Sequence, residues 1–185
     1  MLYAGVFPGR LEKMVCLDIL RLTPTIPETV DVRLRKTVSK QLKYENEIIA
    51  GPEKPMSYEE AVEKAVSGTF GSLDENACHI MFKRGLKKVD GGYVFSRDRR
   101  LLAAPLSFTP KEDMLHLARQ ITADVLIIKY KDGPYFESEE DYMEHVEALK
   151  TSSKNVRYVE IEGTHHAHLR HPERVAPFIT EFLNS

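Results

Sequence analysis

Val156-Arg-Tyr-Val-Glu-Ile-Glu-Gly-Thr-His-His-Ala-His-Leu169, followed from Pro172 by an amphipathic helical pattern, decides how the chain is read. A β-rich run stops at a glycine, and His165 follows at once. A strand that ends in a loop histidine is a common way to present a general base, because the strand fixes the backbone while the loop exposes the ring. Toward the N-terminus lie two more runs, Asp124-Val-Leu-Ile-Ile-Lys-Tyr130 and Lys13-Met-Val-Cys-Leu-Asp-Ile-Leu20, both nearly continuous in apolar residues. Such runs read as strands buried on both faces, as in a parallel sheet. Ser138 to Leu149 reads as a capped helix between the last two. Strand, helix, strand, helix at this spacing predicts right-handed crossovers and parallel strands at 13–18, 124–130 and 156–161.

The block between the first two runs reads as helical and outside the sheet, over residues 28–118. Val30, Leu34, Val38, Leu42 and Ile49 recur at helical spacing. Ser57 with Glu60, and Ser72 with Glu75, form capping-box pairs that each open a short amphipathic helix. Gly91 to Leu101 is too rich in glycine and β-formers to be helical, and Thr109-Pro110 sets another helix start. The fold class expected is α/β.

Composition narrows the function classes. A net charge of −2 and a pI near 6.4 give no electrostatic footprint for nucleic acid. Two cysteines, Cys16 and Cys78, make no disulfide framework and fit a reducing compartment, so an intracellular place, cytoplasmic or peroxisomal, is expected. No apolar run approaches the roughly 18 residues of a membrane span. Met1 to Pro8 has neither the basic region nor the apolar core of a secretory leader, and reads as the last turns of a helix.

The order of these parts resembles the C-terminal portion of an α/β-hydrolase. More narrowly, Gly92-Tyr-Val-Phe-Ser-Arg-Asp-Arg-Arg-Leu101, Val125-Leu-Ile-Ile-Lys129 and Tyr158-Val-Glu-Ile-Glu-Gly-Thr-His165 resemble the serine hydrolase-like group of that superfamily. The resemblance implies a partial α/β-hydrolase parallel sheet, its last three strands, with an inserted helical lid. The core would be 1–23 and 119–185, and the lid 24–118. It further implies serine hydrolysis of small esters, thioesters or amides, with a small acyl substrate as partner and with neither cofactor nor metal. The family's nucleophile sits in a Gly-x-Ser-x-Gly elbow ahead of the first strand seen here, and no serine of this chain has that context. The alternative function is therefore a binding or interaction module without turnover. An uncovered edge on the first strand makes self-association a further expectation.

By the same resemblance His165 matches the triad base. Three carboxylates compete to orient it. Asp132, at the end of the second run, is the first candidate, although Asp132-Gly133-Pro134 is also ordinary turn chemistry. Asp18, at the end of the first run, is the fallback, and Glu137 comes third. His166, His168 and His171 match no metal-ligand spacing. Arg97 to Arg100 reads as a run that stitches the lid to the core by salt bridges, the competing reading being an anion contact at the substrate entrance. Met14, Met81, Met114, Phe70, Phe82 and Tyr93 read as core before acyl pocket.

Overall fold

The computed structural model describes residues 1–21, 24, 26–69, 71–104 and 109–185. In chain order its elements are α1 (Leu2–Val6), β1 (Lys13–Leu17), α2 (Val30–Ile49), α3 (Tyr58–Gly68), α4 (Glu75–Gly85), β2 (Leu86–Val89), β3 (Gly92–Phe95), α5 (Lys111–Ala118), β4 (Asp124–Tyr130), α6 (Glu139–Leu149), β5 (Val156–Ile161), α7 (Ala167–Arg170) and α8 (Ala176–Asn184). They form two compact units, Met1–Thr25 with Phe108–Ser185, and Ile26–Ser107.

The first unit is built on a three-stranded sheet in the order β1-β4-β5, with both pairings parallel as the apolar runs predict. Its central strand shows why such runs are continuous. Val125 and Ile127 pack on one side with Leu115, Ala118, Val146 and Leu149 from α5 and α6. Leu126, Ile128 and Tyr130 pack on the other with Ala167, Val175 and Phe182. Successive side chains alternate across a strand, so two covered faces demand apolar residues at every position. Burying each such side chain contributes about 1.5–3 kcal/mol. Crossover α6 begins at Ser138, whose hydroxyl accepts from the Asp141 N–H, and its first turn holds Glu139, Glu140 and Asp141. Those charges suit the positive end of the helix dipole. Among the described residues no strand pairs with the outer edge of β1.

The second unit has a core of Met56, Ala61, Leu73, Ala77, Cys78 and Phe82. It is not all helical, which corrects the sequence reading of residues 28–118. Strands β2 and β3 form an antiparallel hairpin, Leu86 opposite Phe95 and Val89 opposite Gly92. The turn between them is Asp90-Gly91, the strongest short-range hairpin signal, set between β-formers. Helix α3 has the full Ser57–Glu60 capping box, whereas α4 is capped by Asp74 through the Ala77 N–H rather than by Ser72. Helix α5 packs on α1 and α6. No described helix is long and apolar enough to cross a membrane.

Candidate active site

Parallel strands place their C-terminal ends along one edge of the sheet, where ligands of open α/β folds gather. Strand β1 delivers Asp18 to that edge, and the loop after β5 delivers His165. Gly163, at φ +134, makes the turn out of β5, and a Cβ there would lie 2.7 Å from the Ala167 Cβ. Asp18 takes φ +64, a left-handed conformation that aspartate tolerates better than most residues and that recurs at functional sites. From it, the Asp18 Oδ2 lies 2.6 Å from the His165 Nδ1. The carboxylate is buried, at 1 % exposure, while the imidazole remains 34 % exposed.

Asp18 is held from several sides. Its Oδ1 accepts from the Lys129 ammonium at 2.6 Å and from the Tyr130 N–H at 3.3 Å. Its backbone N–H donates to the Ile128 carbonyl, and its own carbonyl accepts from the Tyr142 hydroxyl at 3.2 Å. Gly133 covers the carboxylate so closely that a Cβ would stand 2.2 Å from Oδ1.

The site therefore pairs His165 with the fallback carboxylate and not with the first candidate. Asp132 is exposed, and its backbone N–H donates to the Gly163 carbonyl, which is the turn role. Glu137 lies 3.9 Å from Arg21, and burial pushes its carboxyl up. An acceptor at Nδ1 has a definite chemical effect. It fixes the ring with its proton on Nδ1 and leaves Nε2 able to take a proton from a nucleophile.

The surroundings of the neighbouring histidines disfavour their charged forms. Burial, then the proximity of His165, pushes the rings of both His166 and His168 down. His166 meets His165 edge-on at 4.8 Å, and His168 stacks on Tyr130, whose phenol burial pushes up to about 12. His171 turns instead to Glu173. Among the described residues no three His, Cys, Asp or Glu side chains are set to hold a metal. In the second unit Arg99 pairs with Glu47 and Arg100 with Asp98, and Arg97 lies over the Phe95 ring. These partners all lie in the same unit, which corrects the expectation that the run stitches lid to core. Phe70 falls outside the described residues, Met14 and Met114 pack in the sheet unit, and Phe82 belongs to the core of the insertion.

Gly-x-Ser-x-Gly is absent from the 185 residues. Ser57 and Ser138 cap helices, and Ser67, Ser152, Ser153 and Ser185 give their hydroxyls to backbone carbonyls. Two residues at the site escaped the sequence reading. Lys129 is the lone charge inside an apolar strand, which signals a buried carboxylate nearby. Gly133 was legible as a turn residue but not as the cover over Asp18.

No protein-family model matches the chain. It is 31 % identical over 185 residues to a serine hydrolase-like protein of Danio rerio, covering 98 % of this chain and 56 % of the relative. The chain thus spans little more than half the length of that curated relative. Among solved structures, a hypothetical protein of Pseudomonas aeruginosa PAO1 superposes with a TM-score of 0.77 at 23 % identity, over 100 % of this chain and 63 % of the other. E-2-(acetamidomethylene)succinate hydrolase does so with a TM-score of 0.63 at 17 % identity, over 98 % and 61 %. Over nearly its whole length the chain is similar to serine hydrolase-like proteins, and its sheet is a partial α/β-hydrolase sheet.

Proposed function

We propose that this chain carries the histidine and acid of a serine hydrolase acting on small esters, thioesters or amides, with His165 as general base and Asp18 as its orienting acid. The single observation behind the reading is the 2.6 Å contact between a buried carboxylate and a solvent-reaching imidazole at one sheet edge. In that role His165 takes the proton of a serine hydroxyl at Nε2 as the serine attacks the acyl carbon. It then returns the proton to the leaving group and repeats the exchange with water. The missing Gly-x-Ser-x-Gly supports a second statement: the 185 residues alone do not turn over, because loss of a triad serine removes about a millionfold in rate.

The test is a chimera in which this chain replaces the matching segment of the Danio rerio relative, assayed on short acyl nitrophenyl esters beside the isolated chain. The isolated chain should stay at background. In an active chimera, Asp18→Asn should lower kcat by about ten-thousandfold, as tautomer control does in such triads, while Asp132→Asn should change it little. An Asp132 variant that kills activity beside a harmless Asp18→Asn would overturn the assignment. So would an isolated chain that hydrolyses these esters and stops on His165→Ala.

A further inference from the structure

Lys129 stands near the C-terminal end of the central strand, with its side chain buried at 1 % exposure. Lysine is rarely buried, and an isolated ion pair in a core is commonly no more stabilising than an apolar residue of equal volume. The flanking Ile127, Ile128 and Tyr130 show that this strand otherwise carries such residues. A methionine would fit the pattern. The charge therefore calls for a reason beyond packing, and its contacts supply one.

We infer that Lys129 is the positioning residue of the site, fixing which oxygen of Asp18 faces His165 and so holding the imidazole in one tautomer. The inference rests on the Asp18–His165 reading above. Lys129 spends its donors on Asp18 Oδ1 at 2.6 Å and on the Pro134 carbonyl at 3.1 Å, and its ammonium sits 4.2 Å from the Tyr135 ring centroid and 5.8 Å from that of Tyr142. These four contacts surround the ammonium and hold it against Asp18 Oδ1. Oδ1 is thereby occupied, and among the described residues its other donor is the Tyr130 N–H at 3.3 Å. Oδ2 is left for the Nδ1–H of His165 at 2.6 Å. Gly133 closes the remaining side, since a Cβ there would sit 2.7 Å from the Asp18 Cγ.

Take the ammonium away and only the longer backbone contact restrains Oδ1. The carboxylate then rotates more freely, the Nδ1 hydrogen bond loosens, and the ring samples the Nε2–H tautomer, which cannot accept a proton from a nucleophile at Nε2.

The experiment is nitrogen-15 NMR of the histidine-labelled and lysine-labelled chain, at a pH where the ring is neutral, on wild type, Lys129→Met, Lys129→Arg and Asp18→Asn. Wild type should show His165 as a single Nδ1–H tautomer, with that proton protected from solvent exchange. Lys129→Met should mix the two tautomers and speed the exchange by about tenfold or more, as loss of a restraining hydrogen bond does. Lys129→Arg, which restores the charge, should recover part of the single tautomer. Asp18→Asn separates the two levels of argument. If it leaves the Nδ1–H tautomer intact, the Asp18–His165 pairing itself is wrong. If it abolishes the tautomer while Lys129→Met leaves tautomer and exchange at wild-type values, the pairing stands and the positioning role falls. Should Lys129→Met not fold, wild type decides. A Lys129 ammonium whose protons exchange as fast as those of the exposed Lys54 would overturn the inference, and a protected ammonium that loses protection in Asp18→Asn would sustain it.

Discussion

His145, on α6, is wholly buried at 0 % exposure, and neither ring nitrogen has a hydrogen-bond partner among the described residues. Burial chiefly, with the positive charges of Arg21, the chain's amino terminus and Arg119, pushes its ring from 6.5 down to about 3. The folded ring thus stays neutral while the unfolded one charges below about pH 6.5. A depressed folded value means stability that is complete above the unfolded value and lost as pH falls toward the folded one, here between about 6.5 and 3. At pH 4.5 the unfolded ring is almost wholly protonated and the folded ring scarcely, so the loss specific to this residue is about 3 kcal/mol. Urea unfolding at pH 7.5 and 4.5, for wild type and His145→Leu, measures it. Every other titrating group is common to both proteins and cancels in the difference. The leucine variant should lose about 3 kcal/mol less than wild type on acidification, and at pH 7.5 it should be at least as stable, since two ring nitrogens with no partner among the described residues leave the core. Equal losses in the two proteins would refute the reasoning, because the folded ring would then be taking up its proton.

Gly133→Ala should destabilise by about 1–3 kcal/mol, the usual cost of forcing atoms into a packed site, and should also disturb the His165 imidazole signal, because the new Cβ meets the Asp18 carboxylate. A neutral effect on both readings would mean that this turn does not cover Asp18. Burial raises the thiols of Cys16 and Cys78, so both should react with Ellman's reagent only slowly until urea unfolds the chain. Rapid reaction of either in the native state would place it at the surface.

The parallel sheet was legible because covering both faces forces a signal that little else produces. Between Asp124 and Tyr130 the one polar residue is Lys129, and the strand matches that run end to end. The hairpin was less legible for the opposite reason. Its strands have four residues each, and none of their side chains is fully buried. Short, half-exposed strands show little periodicity, so only the Asp90-Gly91 turn spoke for them, between helices whose caps were much clearer. Helix α4 shows how a cap can mislead. Ser72 and Glu75 satisfy the capping-box spacing, yet Asp74 sits one residue before the helix and takes the role.

Choosing between the carboxylates was harder, because both stand at the end of an apolar run and sequence alone does not say which strands are neighbours. The register supplies the missing step. Leu17 is level with Ile128, so the next rung sets Asp18 beside Lys129, while Tyr130 is level with Ile161 on the other side of β4. Parallel partners face the same way, and a lysine in an apolar strand requires an anion on its own face. Laid side by side with their apolar residues aligned, Met-Val-Cys-Leu-Asp and Val-Leu-Ile-Ile-Lys bring acid and base onto one rung. Asp132 lies three residues beyond Lys129, in a turn whose N–H groups at 131 and 132 are tied to Ile161 and Gly163. That tie carries the chain over Asp18 and leaves the Asp132 side chain in solvent. The buried lysine, which the sequence reading passed over as part of a strand, is therefore the residue that points to Asp18.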